Sequence, residues 1–341
     1  METMKRAAIT GVKQTMLLDT PIPEPKEDWV LVKVHAVPLC TEYKGWLKGN
    51  EYSGHEAAGE VVQVAQPGKV KVGDRVVVMP GAPCGKCSYC ISGEYIHCEH
   101  AYEPAEFSGL KHGSDTHVQY LLKQDWLLVP IPDGISYERA SLACCGLGPT
   151  FGAMENMNVT VSDTVLITGG GPVGLGGVIN ARYRGARTIL VERVPYRQQK
   201  ARELGADLVL DPDDPNIRSA IMQYTGSIGV DACLEASGTL EAQRLCIDVT
   251  RRKGQIALIG ECSEDLAIKA RPDFIRKGII LMGQWHYNLN GVFKIMKVIC
   301  ESPVVEKLIT HVFPMSRIQE ALEISASHNC AKIILKPWED R

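Results

Sequence analysis

The chain has 341 residues, 45% of them hydrophobic and 23% charged, enough to bury two cores of ordinary domain size rather than one small core held by disulfides. Lys and Arg total 37 against 40 Asp and Glu, a net charge of −3, with no sustained basic block to follow a phosphate backbone, which argues against nucleic acid as a partner. No apolar run approaches the ~18 residues of a membrane span, and METMKRAAIT has no long apolar stretch behind its charges, so a cytoplasmic protein is expected.

Up to about Leu128, short apolar or alternating runs (VLVKVHAV, EVVQVA, DRVVVM, HVQYLL) are separated by Gly, Pro and Asp, predicting a mainly antiparallel β domain. From about Thr164 apolar strands alternate with helical stretches: TVLIT, PVGLGGVINARY, RTILV, PYRQQKARELG, VDACLE, LEAQRLCIDVT and GQIALIG. That rhythm predicts a parallel, doubly wound sheet, and an α/β class for the chain. Beyond GIILMG a helix is expected around Gly291 to Cys300, then LITHVF, a helix near Ser316 to Ala326, and AKIILKP. This tail exceeds what a nucleotide domain needs and is expected to rejoin the first domain.

The segment TVLITGGGPVGLGG sets Gly169, Gly171 and Gly174 in a GxGxxG pattern between a predicted strand and a predicted helix. Gly169 allows the tight turn, Gly171 lets backbone approach a pyrophosphate, and Gly174 lets helix and strand pack closely. Pro172 suits the first helical turn, and Val173 stands beside it at the helix N-terminus, where unpaired N–H donors and a positive dipole favour an anion. Glu192, at the end of RTILV, is placed to accept both adenosine ribose hydroxyls and to repel a 2′-phosphate, favouring NAD over NADP. Arg193 and Arg197 follow closely and could pair with such a phosphate, which leaves NADP as the lesser alternative.

The run Cys84-Gly-Lys-Cys87-Ser-Tyr-Cys90-Ile-Ser-Gly-Glu-Tyr-Ile-His-Cys98 offers four thiolates from one loop to a tetrahedral ion. A closed four-sulfur shell leaves no position for substrate, so the expected role is a structural zinc that stakes down its lobe. Two disulfides or an iron–sulfur cluster are the alternatives. His97 and His100 lie near this lobe as bystanders.

The cysteine lobe, GHEAAGEV from Gly54, VGDRV from Val72 and LITGGGPVGL together resemble the zinc-containing medium-chain alcohol and polyol dehydrogenases over nearly the whole chain. The resemblance implies a GroES-like β-rich catalytic domain at 1–148 and 288–341, with the zinc lobe at 80–100, and a Rossmann NAD-binding domain at 149–287. It implies a catalytic zinc on Cys40, His55 and Cys145, with Cys144 a neighbour able to exchange roles with Cys145. Three N or S ligands with one open position suit a zinc that polarises an alcohol or water. Glu56 is expected behind these ligands, orienting them or replacing the zinc water transiently. The implied activity is NAD-dependent oxidation of a secondary alcohol to a ketone, in a homodimer or homotetramer carrying two zincs per chain.

The family pattern places a Thr or Ser two residues after the first ligand, whereas this chain reads Cys40-Thr41-Glu42-Tyr43. Either Thr41 is the relay hydroxyl with Glu42 beside it, or Glu42 takes the proton directly, or Glu42 accepts a hydrogen bond from His55 and fixes its tautomer. The stretch from Cys40 to His55 is shorter than usual in the family, predicting a more open cleft that admits a sugar, polyol or cyclitol. Lys44, Trp46, Trp285 and His286 are candidate substrate contacts, and a packed histidine is the alternative for His286. His35, His117, His311 and His328 receive no role. An NADPH-dependent aldehyde, ketone or quinone reductase, and a non-catalytic dinucleotide-binding scaffold with a single zinc, are the rival functions.

Overall fold

A computed structural model describes residues 2–51, 54–112 and 114–339. The chain forms two compact units, Met1–Cys145 with Asn288–Cys300 and Ile309–Arg341, and Gly146–Tyr287 with Glu301–Leu308. The first begins with β1 (Thr3–Gly11), β2 (Gln14–Pro21), β3 (Trp29–Pro38), β4 (Ala57–Gln63), β5 (Arg75–Val78), β6 (Tyr120–Gln124) and β7 (Leu128–Pro130). The second contributes β8 (Thr164–Thr168), β9 (Arg187–Val191), β10 (Leu208–Leu210), β11 (Val230–Glu235), β12 (Thr250–Leu258) and β13 (Ile280–Gly283). The chain then adds β14 (Ile309–Pro314) and β15 (Lys332–Lys336) to the first unit.

In the first unit β1 and β2 form an antiparallel pair, and the main sheet runs β14-β15-β3-β4-β5-β7 with β6 also on β3. β14 and β15 are parallel, the other pairs antiparallel. β3 has neighbours on both edges, and eight of its ten residues are buried, so its outward positions are apolar as well as its inward ones. Val32, Val34, Val61, Val76 and Leu121 form the core, and the helix Ile318–Ser327 seals it with Ile318, Ala321 and Leu322.

In the second unit the strands run β10-β9-β8-β11-β12-β13, all parallel. Every residue of β8 is buried, as expected of a strand whose sheet is covered on both faces. The α/β class, the β-rich first unit and the parallel sheet agree with expectation. The tail helices lie at Val292–Glu301 and Ile318–Ser327. Helices at Glu42–Lys48, Gly148–Asn156 and Ile217–Tyr224 were not anticipated. The first is only seven residues long, and the second is buried on all sides from Gly148 to Met154, so neither shows an amphipathic stripe. Among the described residues no helix is long and apolar enough to cross a membrane.

Ile189 is fully buried beside Leu166, Cys233 and Ile256 in the core of the second unit. Ile189→Ala is expected to lower that unit's stability by about 2–5 kcal/mol, read as a lower urea midpoint at unchanged m value.

Candidate functional site

Strand register brings the candidate ligands together. β3 and β4 are antiparallel with Ala36 opposite Ala58, so Cys40, just past β3, meets His55 and Glu56, just before β4. On the other edge of β3, Pro38 faces Ile334 of antiparallel β15, which sets Lys332, the first residue of that strand, level with Cys40. Cys145 follows the helix Tyr137–Ser141, whose Ser136 cap accepts from the Arg139 N–H. One donor atom each from Cys40, His55, Glu56 and Cys145 lies within 4.8 Å of the others.

His55 Nε2 stands 3.2 Å from Cys145 Sγ and 3.8 Å from Glu56 Oε1. Its other ring nitrogen, Nδ1, lies 3.8 Å from Glu42 Oε1. Glu42 heads its helix, is buried, and accepts the Cys40 N–H at 2.5 Å through Oε2. Burial lifts the Glu42 carboxyl to about 7, with His55 opposing the rise. Glu42 thus faces the Nδ1 side of His55 at a distance too long for a direct hydrogen bond.

Glu56 accepts the Cys145 N–H at 3.1 Å and Lys332 Nζ at 2.6 Å, and both members of the Lys332–Glu56 pair are fully buried. Burial opposes the Lys332 charge, but Glu56, Cys40 and Cys145 outweigh it and raise its pKa. The Cys40 thiol is held well below its usual range, first by the hydrogen bond from Cys145 and then by Lys332 and His55. A divalent cation at this point would displace the Cys40 and Cys145 protons and be balanced by the two thiolates, with Glu56 already paired to Lys332. The donor set, two S and one N with a carboxylate adjoining, is that of a zinc site with room for a further ligand. The residues thus fit the metal.

Cys144 faces away from this cluster. It is fully buried, its thiol donates to the Val78 carbonyl at 3.4 Å, and burial pushes its pKa up. Thr41 is exposed at the cap of Glu42–Lys48 and its side chain makes no capping bond. Lys44 is exposed on the same helix. Trp46, expected at the substrate, is instead 4% exposed in the first unit's core, with Nε1 3.4 Å from Gln319 Oε1. In the second unit Trp285 is 60% exposed, while His286 is buried and stacks on Tyr287 at 4.8 Å. His35 stacks on Tyr137 and His311 on Phe313, and His328 caps Ile318–Ser327 with a left-handed backbone.

Cys84, Cys87, Cys90 and Cys98 gather on a short helical turn, Ser88–Ile91, and the loops around it. Measured Sγ separations are 4.0 Å for Cys84–Cys90, 3.5 Å for Cys87–Cys90 and 3.9 Å for Cys87–Cys98. A tetrahedron of Zn–S bonds near 2.3 Å requires edges of about 3.8 Å. These separations are far beyond a disulfide bond of about 2.05 Å, and all four thiols are free. The N–H groups of Cys84, Cys87 and His100 donate to the sulfurs of Cys98, Cys84 and Cys98, dipoles that suit thiolates. His97 and His100 are exposed and outside the four-sulfur group.

In the second unit Gly169 closes β8 with φ of +87°, and a Cβ there would press on Ser237. Gly171 caps the helix Pro172–Tyr183, with Pro172 and Val173 in its first turn and open space above the Gly171 Cα. A Cβ at Gly174 would collide with the Gly169 carbonyl. Glu192 follows β9, is 7% exposed, and accepts the N–H groups of Gly170 at 2.5 Å and Val194 at 2.8 Å. Its carboxylate is thereby fixed against the glycine turn. Arg193 reaches away to Asp213 at 3.2 Å, and Arg197 is half-buried on the next helix.

Two residues of the first cluster escaped sequence reasoning. Lys332 lies 276 positions from Glu56, in AKIILKP, where it reads as an ordinary strand lysine. His117 is buried beside Gly54, burial holds its pKa down to about 3, and neither ring nitrogen has a partner among the described residues. Its signal was a histidine at the head of the strand-like run HVQYLL.

Comparison with known proteins identifies the family. Residues 26–133 match the model of the alcohol dehydrogenase GroES-like domain, and residues 172–299 that of the zinc-binding dehydrogenase. The sorbitol dehydrogenase of Bacillus subtilis is 30% identical over 98% of this chain and 98% of its own length. The D-arabitol-phosphate dehydrogenase of Enterococcus avium is 28% identical over 96% and 95%. The solved structure of 2R,3R-butanediol dehydrogenase from Bacillus subtilis superposes with a TM-score of 0.83 at 25% identity, covering 98% and 99% of the two chains. The chain belongs to the zinc-binding alcohol dehydrogenase family and is an oxidoreductase.

Proposed function

We propose that the chain oxidises a secondary alcohol of a polyol or sugar-like molecule to a ketone, with NAD as hydride acceptor. The carrying observation is the packing of Cys40, His55 and Cys145 around one point, with Glu56 and its buried Lys332 partner behind them. The names of the sorbitol and D-arabitol-phosphate dehydrogenases point the same way, while the L-threonine 3-dehydrogenase of Symbiobacterium thermophilum, 30% identical, acts by its name on a hydroxy amino acid. In this reading the first unit, which holds Cys40, is the catalytic domain, close to the expected 1–148 and 288–341, and the second, close to the expected 149–287 but with Glu301–Leu308 added, binds the dinucleotide.

Zinc held by Cys40, His55 and Cys145 supplies Lewis acidity toward a substrate hydroxyl, and NAD supplies the redox chemistry. Glu42 faces His55 on its Nδ1 side, and Nε2, which faces Cys145, would hold the metal. Lys332 restrains Glu56, which otherwise carries an unbalanced buried charge. Thr41, an exposed hydroxyl one residue past the first ligand, receives the substrate proton and passes it to solvent. Gly169, Gly171 and Gly174 admit the pyrophosphate to the N–H groups of Pro172–Tyr183. Glu192 takes the adenosine ribose hydroxyls and repels a 2′-phosphate, the reason for preferring NAD. Lys44 and Trp285 remain substrate contacts in this reading; Trp46 serves packing.

The second zinc belongs to Cys84, Cys87, Cys90 and Cys98 and is structural. Two sets of reduced thiols fit a cytoplasmic setting. β13 ends its sheet with an unpaired edge among the described residues, which suits a homodimer or a homotetramer built on it.

Cys40→Ala is expected to cut turnover by more than the ~10–100-fold typical of losing a group that merely supports a ligand, with NADH affinity nearly unchanged and zinc per chain reduced by one. Full activity in that variant would falsify the assignment. Cys90→Ser removes the other zinc instead, and limited proteolysis should then cut within 84–98 while the zinc at Cys40 persists. Glu192→Ala should raise the KM for NAD about tenfold or more, the scale of lost hydrogen bonds to a charged group, and improve NADP relative to NAD. An unchanged ratio between the two cofactors would remove Glu192 from that role.

A further inference from the structure

The second unit carries a cavity of about 630 Å³, within the ~300–1,000 Å³ of small-molecule sites. It opens where β12 begins, next to Val230 of β11, which pairs in parallel with Thr250. The glycine turn follows the opposite, carboxyl end of β8 in the same parallel sheet. The cavity is thus at the far end of the sheet from the dinucleotide loop.

Its charge is one-sided. Arg251, Arg252, Arg271, Arg276 and Lys277 line it against one carboxylate, Asp248. That carboxylate is already taken by Arg244 at 2.6 Å and by Arg218. Lys277 Nζ is spent on the carbonyls of Ile247, Asp248 and Thr250 at 2.6 to 2.9 Å, and Arg251 pairs with Asp231 at 2.5 Å. Among the described residues the guanidinium groups of Arg252, Arg271 and Arg276 have no acidic partner. Three unpaired cations around one cavity repel each other, in a chain whose net charge is −3.

One backbone turn carries two of them, both exposed. Ala270–Ile275 is a π-helical turn, and the Arg276 N–H closes it by donating to the Arg271 carbonyl at 3.0 Å. Such turns recur at functional sites. Met222, Ile228 and Val249 give the cavity an apolar wall.

We propose that this cavity is a second ligand site, which takes a small organic molecule bearing two phosphate groups. Guanidinium groups grip phosphate oxygens in pairs through their planar fork. Arg271 and Arg276 hold one phosphate, Arg252 the other, and the apolar wall receives the carbon skeleton.

The test is calorimetric titration of the zinc-loaded protein with fructose 1,6-bisphosphate, with and without saturating NADH. Binding of one molecule per chain in both conditions is expected, with inorganic phosphate binding more weakly. The double variant R271Q/R276Q should bind about tenfold more weakly or worse, the scale of losing charge-assisted pairs, with NADH affinity unchanged. Arg252→Gln, which leaves the π-helical turn intact, should also weaken binding and covers failure of the double variant to fold. Loss of binding when NADH is present would place the probe on the dinucleotide loop and overturn the proposal. So would equal binding by Arg252→Gln, or no binding to the unaltered protein. A smaller species in sedimentation on adding the bisphosphate would assign the cavity to contact between copies and overturn it too.

Discussion

The ion pair between Glu56 and Lys332, 2.6 Å apart and fully buried on both sides, is the constraint around which the first unit is arranged. A carboxylate inside a β core is costly unless paired, and its partner comes from β15, antiparallel to β3. That placement requires the chain to leave the second unit and return with β14 and β15. The tail is therefore a component of the active region rather than an appendage. The same pairings set Lys332 level with Cys40 and bring His55 and Glu56, just before β4, alongside the end of β3, so ligand, carboxylate and counter-charge follow from one pairing scheme.

The two units divide the work by the physics of their sheets. The antiparallel sheet converges strand ends from distant parts of the chain, which suits a metal needing thiolate, imidazole and compensating charge within a few ångströms. The parallel sheet supplies helix N-termini at its carboxyl edge, which suits an anion. Glu192 ties the glycine turn to the end of β9, because its carboxylate accepts the Gly170 and Val194 N–H groups.

Local motifs were legible in the sequence because their chemistry is local. Cys84 to Cys98 fall on one loop, and Gly169 to Gly174 on one turn, so spacing alone carried their geometry. Cys40, His55 and Cys145 required the family resemblance, and the turn between Ser141 and Gly148 that carries Cys144 to the Val78 carbonyl and Cys145 to His55 is visible only in the fold. Lys332 was invisible because nothing near it in sequence distinguishes a buried strand lysine from an exposed one. Trp46 was misplaced for a related reason: it follows the first ligand closely, but its helix turns that ring toward Gln319, 273 positions away, and into the core. Glu42 was readable as three different roles, and the fold places it buried, facing the Nδ1 side of His55.

The central claim is that this cluster oxidises secondary alcohols with NAD. The direct measurement is NADH formation by the zinc-loaded chain against sorbitol, xylitol, myo-inositol, ethanol and benzyl alcohol at matched concentrations. The account predicts turnover of at least one polyol with kcat/KM above that of either simple alcohol. Absence of NADH formation from every polyol, or clear preference for ethanol or benzyl alcohol, would contradict it.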